Sequence, residues 1–245
     1  MTVPVIHAVT SDDIVAREDF VALAVGVMRV LGPRGAVHLR APAASARRVF
    51  DLAAELARHQ TSTGAWLAVN DRVDVAQCVG AHAVQLTSRS LTVRDAQAAV
   101  GGASPDARVL ALGASVHTVE EARAASSMAD DTPVGTTSVS PREPQLAWLV
   151  AGHVFVTPSH AGVAARGSTF LSEISAAASV PVIAIGGVRP AHVGELLAAG
   201  AYGVAVIRGI WHAVDAERAA ADYLSAYDAV RAARAADRGG SDDHS

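Results

Sequence analysis

Val182-Ile183-Ala184-Ile185-Gly186-Gly187, then Ala191 to Ala199, then Gly203-Val204-Ala205-Val206-Ile207-Arg208-Gly209, is the stretch that decides the fold. A short run of branched apolar residues ends on paired glycines, an alanine- and leucine-rich helical segment follows, and a second apolar run ends on Arg-Gly. A continuous apolar run of this length suits a strand buried on both faces, as in a parallel sheet whose crossovers are helices. The unit is therefore strand, helix, strand, with a tight glycine turn after each strand.

The same unit recurs towards the N-terminus. Strands are expected at Val5 to Val9, Ala36 to Leu39, Trp66 to Val69, Ala83 to Leu86, Val109 to Ala114 and within Leu146 to Phe155. Helices are expected at Ile14 to Leu31, Ser45 to His59, Val73 to Val79, near Val93 to Val100, Val119 to Met128, Phe170 to Ala178 and Asp215 to Ala235. Ser45 suits an N-cap, and Thr118 with Glu121 suits a capping box. Eight strand–helix units in 245 residues predict an α/β fold, a single closed parallel (β/α)8 barrel spanning 1–237. An open doubly wound sheet would carry a glycine-rich turn after its first strand, and Thr10-Ser11-Asp12-Asp13 is not one. Asp130 to Pro144 reads as a surface excursion and 238–245 as a disordered tail.

Composition narrows the function. Hydrophobic residues make up 51 % and aromatics 4 %, so alanine, valine and leucine must fill the core. With 20 basic and 24 acidic residues the net charge is −4, and no basic stripe marks a nucleic-acid partner. No apolar run reaches the roughly 18 residues of a membrane span, and Met1 to Thr10 does not read as a signal peptide. One cysteine, Cys78, fits a reducing compartment, and a cytoplasmic location is expected. A homo-oligomer is left open.

Chemistry on a barrel of this kind sits on the loops that follow the strands. Gly186, Gly187, Arg208 and Gly209 are the expected phosphate site, because glycine lets backbone N–H groups approach an anion closely. The turn-only reading of these glycines stands beside it. Of ten histidines, His59, His192, His212 and His244 are expected to face solvent, while His7, His38, His117 and His153 fall on or beside strands. His153 has the best position, next to Gly152 at the end of the sixth strand. Asp71 could ligate magnesium or cap the next helix, and one loop carboxylate does not make a magnesium site. Neither a metal nor a cofactor is expected. No HExxH, Cys/His cluster or Gly-x-Ser-x-Gly elbow is present.

An ordered series of motifs resembles the thiamine phosphate synthase superfamily over roughly Val5 to Ile210. It comprises Val69-Asn70-Asp71-Arg72-Val73-Asp74, Val84-Gln85-Leu86, Gly113-Ala114-Ser115-Val116-His117 and Val180-Pro181-Val182-Ile183-Ala184-Ile185-Gly186-Gly187. The resemblance implies a β/α barrel handling thiamine-related phosphates. Synthases of that superfamily carry Arg-Glu-Lys after strand two, His-Leu-Gly-Gln then Asp after strand four, and Thr-x-Thr-Lys after strand six. Here those places read Arg40-Ala41-Pro42, Gln85-Leu86-Thr87-Ser88-Arg89 and Thr157-Pro158-Ser159-His160. Gly152-His153-Val154-Phe155-x-Thr157, followed by Gly162-Val163-x-Ala165-Arg166-Gly167, instead resembles the TenI-like thiazole tautomerases. That branch implies an isomerase of thiamine biosynthesis moving one proton on a carboxy-thiazole ethyl phosphate. His153 would be its general base and acid, with Arg40, Asn70, Ser115 and Thr157 holding the substrate. The acid that usually follows the strand-two arginine in that branch is Ala41 here. Two alternatives remain: a thiamine phosphate synthase with altered diphosphate contacts, and a non-catalytic barrel that binds thiazole phosphates.

Overall fold

The computed structural model describes residues 2–101, 109–130, 145–157 and 162–239. The excursion expected at 130–144, Asp130 apart, therefore lies outside the described residues, and of the tail expected at 238–245 the first two residues continue the last helix while the rest lie outside the described residues. Eight parallel strands close in sequence order, with β1 (Ile6–Val9) pairing both β2 (Gly35–Leu39) and β8 (Gly203–Val206). Between them run β3 (Trp66–Asn70), β4 (Ala83–Leu86), β5 (Ala111–Val116), β6 (Gln145–Gly152) and β7 (Val182–Ile185). The closed barrel expected from the sequence is the observed fold.

Eleven α-helices are described around it. They are α1 (Asp12–Val15), α2 (Phe20–Leu31), α3 (Ala46–Ala57), α4 (Gln60–Thr63), α5 (Val73–Val79), α6 (Val93–Gly101), α7 (Val119–Asp130), α8 (Gly167–Ala177), α9 (Val193–Ala198), α10 (Arg208–Trp211) and α11 (Ala216–Gly239). The single helix expected over Ile14 to Leu31 is two. Arg17 doubles back onto Asp19 in a two-point ion pair, Nη2 to Oδ2 2.7 Å, and the chain breaks there. Ser45 does cap α3, its hydroxyl accepting from Arg48 N at 3.2 Å. At α7 only half the capping box forms. Thr118 Oγ1 accepts from Glu121 N at 3.1 Å, while the Glu121 carboxylate takes the His117 N–H instead.

Two apolar clusters reflect the two faces of the strands. The larger packs the outward faces against the helices. The smaller fills the barrel interior, where Trp66 and Trp148 sit among Ala36, Ala68, Ala83, Ala111 and Ala205. Two indoles occupy the space that small residues leave, which is how a chain with few aromatics fills the interior to normal density. Trp148 reaches the inside because the β5–β6 register slips by one residue. Leu112 pairs with Leu146, but Gly113 pairs with Trp148. A single extra residue turns every later side chain of β6 to the other face. Gly113 is required opposite it, since a Cβ there would strike the Trp148 indole and the Gln85 amide.

Candidate active site

The C-terminal ends of the strands open into a cavity of about 1050 Å³. All nine residues expected to serve the site lie on its wall: Arg40, Asn70, Ser115, His153, Thr157, Gly186, Gly187, Arg208 and Gly209. The loop rule explains this convergence, because each follows or ends a strand and the barrel gathers the strand ends into one mouth.

The glycine loops have the backbone shape that their sequence suggested. Gly186 has φ 105° and Gly187 φ 65°, both in the region that side chains disfavour. A Cβ on Gly187 would sit 2.5 Å from Val156 O, and one on Gly186 would strike the His153 Cβ. Tyr223 on α11 braces both loops from behind. Its hydroxyl donates to Val188 O at 2.8 Å and fills the space where a Gly209 side chain would stand. Burial pushes the Tyr223 phenol up to about 12, so it stays a donor.

His153 is 6 % exposed and belongs to the cavity wall. Its carbonyl accepts from Arg166 N at 3.3 Å, and the neighbouring Gly152 carbonyl contacts His117 Nδ1 at 3.1 Å. His117 also lines the mouth, while its carbonyl is held by Arg166. His192 was expected in solvent. It lies on the wall instead, its ring 4.2 Å from that of Phe155 and its Nδ1 accepting from Arg189 N at 3.3 Å. The short turn after the paired glycines folds it back over the mouth, a path that helical periodicity does not reveal.

Asp71 does not cap α5. Arg72 occupies that cap position, and the Asp71 Oδ1 accepts from Thr87 N at 3.0 Å and Thr87 Oγ1 at 2.7 Å, tying the β3 loop to the β4 loop. It is absent from the cavity wall, and no three His, Cys, Asp or Glu among the described residues form a group able to hold a metal. This donor set does not fit a magnesium cage built by the chain itself.

Several wall residues were not foreseen. Arg89 and Arg189 join Arg40 and Arg208 around the mouth, against one lining carboxylate among the described residues, Asp13. Asp13 is itself occupied, accepting from Ser11 Oγ at 2.5 Å and meeting His212 Nε2 at 2.9 Å. The Ser11 hydroxyl, more than His212, holds the Asp13 carboxyl below its usual range. Arg189 could have been found from its place two residues after Gly187. Deeper in the barrel, Gln85 binds the Trp148 indole through Oε1 (2.8 Å) and donates to Ser115 Oγ at 3.1 Å. His7 and His38 lie below, fully buried and 2.7 Å apart. Burial drives the His7 imidazole down to about 4 despite its bond to Pro4, and burial, with His7 adding to it and Asn70 opposing it, drives His38 well below its ordinary value. Both rings are neutral near pH 7.

Comparison with known proteins adds an independent line. The family described as Thiamine monophosphate synthase matches residues 6–210. A thiamine-phosphate synthase of Salinispora arenicola is 39 % identical over 181 residues, covering 74 % of this chain and 76 % of that protein. One of Pyrococcus abyssi is 31 % identical over 188 residues, covering 77 % and 80 %. Among solved structures, thiamine phosphate pyrophosphorylase from Pyrococcus furiosus superposes with TM-score 0.73 at 26 % identity, covering 92 % of this chain and 96 % of that one. These relatives overturn the expected tautomerase. The two sequence relatives are named thiamine-phosphate synthase and the solved structure thiamine phosphate pyrophosphorylase, and neither an isomerase nor a proton shift on His153 follows from them. No described helix is long and apolar enough to cross a membrane.

Proposed function

The chain belongs to the thiamine monophosphate synthase family, and from that membership we propose that it is a thiamine-phosphate synthase, joining a pyrimidine diphosphate to a thiazole phosphate, with diphosphate contacts of its own kind. The observation that carries this reading is the placement of cationic groups on two sides of one mouth. Gly186, Gly187, Arg189 and Arg208 gather after β7 and β8, while Arg40 and Arg89 stand after β2 and β4, across the barrel. A substrate with one phosphate needs one such cluster. Two substrates, one a phosphate and one a diphosphate, need two.

In this arrangement the β7 and β8 loops take the thiazole phosphate on backbone N–H groups, with Arg208 as a charged donor. Arg40 and Arg89 take the diphosphate, replacing the lysines that synthases of the superfamily carry. As the new carbon–nitrogen bond forms, the carbon–oxygen bond to diphosphate breaks and negative charge gathers on the departing oxygen. Fixed guanidinium groups meet that charge where it develops, which is the arrangement that lowers such a barrier. Arginine presents a planar two-point donor and stays charged, so it suits a diphosphate without help from a carboxylate-held cation. His153, just after β6 and between the two clusters, walls the space where the two rings meet, beside Ser115 and Thr157.

The test is direct. The purified protein is incubated with both substrates, with and without added magnesium, and thiamine phosphate and diphosphate are quantified. Equal amounts of both products support the reading. No product with both substrates bound, shown by calorimetry, overturns it in favour of a binding protein. Replacing Arg40 and Arg89 together with Met should abolish product formation while phosphate still binds at the β7 and β8 loops.

A further inference from the structure

Arginines on the outer surface end on carboxylates, as Arg34 does on Asp228 and Arg72 on Asp74. Arg189 and Arg208 are exposed, line the mouth after β7 and β8, and form no ion pair among the described residues. The lining carboxylate Asp13 does not serve them, because Ser11 Oγ at 2.5 Å and His212 Nε2 at 2.9 Å take it up. Guanidinium groups left without a counter-charge on a cavity wall suit an anionic ligand.

His192 adds a third group on the same side. Its Nδ1 accepts from Arg189 N at 3.3 Å and its ring packs 4.2 Å from that of Phe155, so contacts on two loops fix the ring. An accepting Nδ1 puts the ring proton on Nε2, across the ring, where it can donate. The β7 loop thus carries a guanidinium and an imidazole N–H beyond its glycine backbone. A phosphate group offers three acceptor oxygens. The backbone N–H groups of the glycine turns, with Arg208, are enough for those. Arg189 and His192 are surplus to one phosphate. They also stand further along the loop, with Arg189 exposed where Gly186 and Gly187 are half-buried.

We propose that Arg189 and His192 form a second phosphate subsite beside the glycine cradle, so that the β7 side of the mouth also takes an organic diphosphate, in competition with the phosphate substrate. The inner phosphate occupies the cradle with Arg208. The terminal phosphate meets the two-point fork of Arg189 and the Nε2–H of His192. The inference rests on the reading of the β7 and β8 loops as the phosphate side. It adds a ligand class there, an inhibitor with a diphosphate tail, and needs no turnover.

The test is calorimetry on the full chain carrying Arg40→Met and Arg89→Met, which removes the cationic groups across the barrel. The probes are inorganic phosphate and inorganic diphosphate. Diphosphate should bind roughly tenfold or more tightly than phosphate, as a further charge-assisted contact implies, and saturating phosphate should displace it. Adding Arg189→Met and His192→Asn should cut that preference to about threefold or less and leave phosphate affinity within about twofold. Asparagine keeps an acceptor for Arg189 N and removes the far donor. A preference that survives both changes, or phosphate affinity that falls as far as diphosphate affinity, overturns the subsite. Independent binding of the two probes overturns the competition. Loss of phosphate binding before Arg189 and His192 are touched overturns the cradle reading itself, which separates that failure from failure of the subsite.

Discussion

At the floor of the mouth, His7, His38, Asn70 and Gln85 are at most 8 % exposed and carry no charge near pH 7, with His7 bonded to His38 and Gln85 bonded to Trp148 and Ser115. At the rim, the guanidinium groups of Arg89, Arg189 and Arg208 are exposed, the first two on loops and the third opening α10, with Arg40 half-buried beside them. The same cavity therefore has two electrostatic settings. The floor is dry, and an unmet polar group there is costly. The rim is wet, and each charge there is worth less and is weakened by salt.

Acid should break the floor first and most. His7 has a folded pKa near 4 against about 6.5 when unfolded. The unfolded chain therefore binds the extra proton as pH falls from about 6.5 to 4, and stability present above pH 6.5 is lost across that window. The loss from His7 alone is on the order of 3 kcal/mol, with His38 adding in the same direction. Urea midpoints at pH 7 and pH 4 measure it, and His7→Phe should flatten the slope. An unchanged slope in that variant would place the acid sensitivity elsewhere.

Gln85→Leu sharpens the comparison from the floor side. It leaves the Trp148 Nε1–H and the Ser115 hydroxyl without their partner, and should destabilise by about 2 kcal/mol. Inorganic phosphate affinity should stay as it was, since the β7 and β8 loops do not touch Gln85. A change in phosphate affinity with intact stability would mean that floor and rim are not separable.

The smallest effect belongs to the rim. Arg208→Ala should weaken phosphate binding roughly tenfold at low salt, as expected for one exposed charge-assisted hydrogen bond. The difference from wild type should narrow as salt rises, and the unfolding midpoint should not move. A wild-type phosphate affinity in this variant would show Arg208 pointing into solvent.

The fold was legible because buried parallel strands read as short apolar runs and glycine marks where several end. The cavity wall was legible for a related reason, since the ends of strands are where loops begin and the barrel collects them. Residues inside the strands were not. In a strand buried on both faces, the pattern does not say which side chains point inward, so His38 read like any strand histidine. Trp148 was harder still, because the register slip at Gly113 reverses the parity of β6. The turn that carries His192 over the mouth depends on two positive φ angles, which paired glycines permit without dictating the path. The strand-six residues around His153 point to the wrong branch of the superfamily. The relatives align over some three-quarters of the chain, where a local signature carries less weight.

The Tyr223 brace has a consequence in time. A chain made from its N-terminus has β1 to β4, with Arg40, Asn70 and Arg89, long before the glycine loops after β7 and β8 exist. The seam between β1 and β8 cannot close until residue 206, and Val188 and Gly209 meet their support only when α11 folds back against them. The mouth is thus assembled in order, the β2 to β4 side first and the β7 and β8 side last. The final helix acts as a completion check: a barrel whose last helix has not docked has its strands in place but no firm support behind the glycine loops.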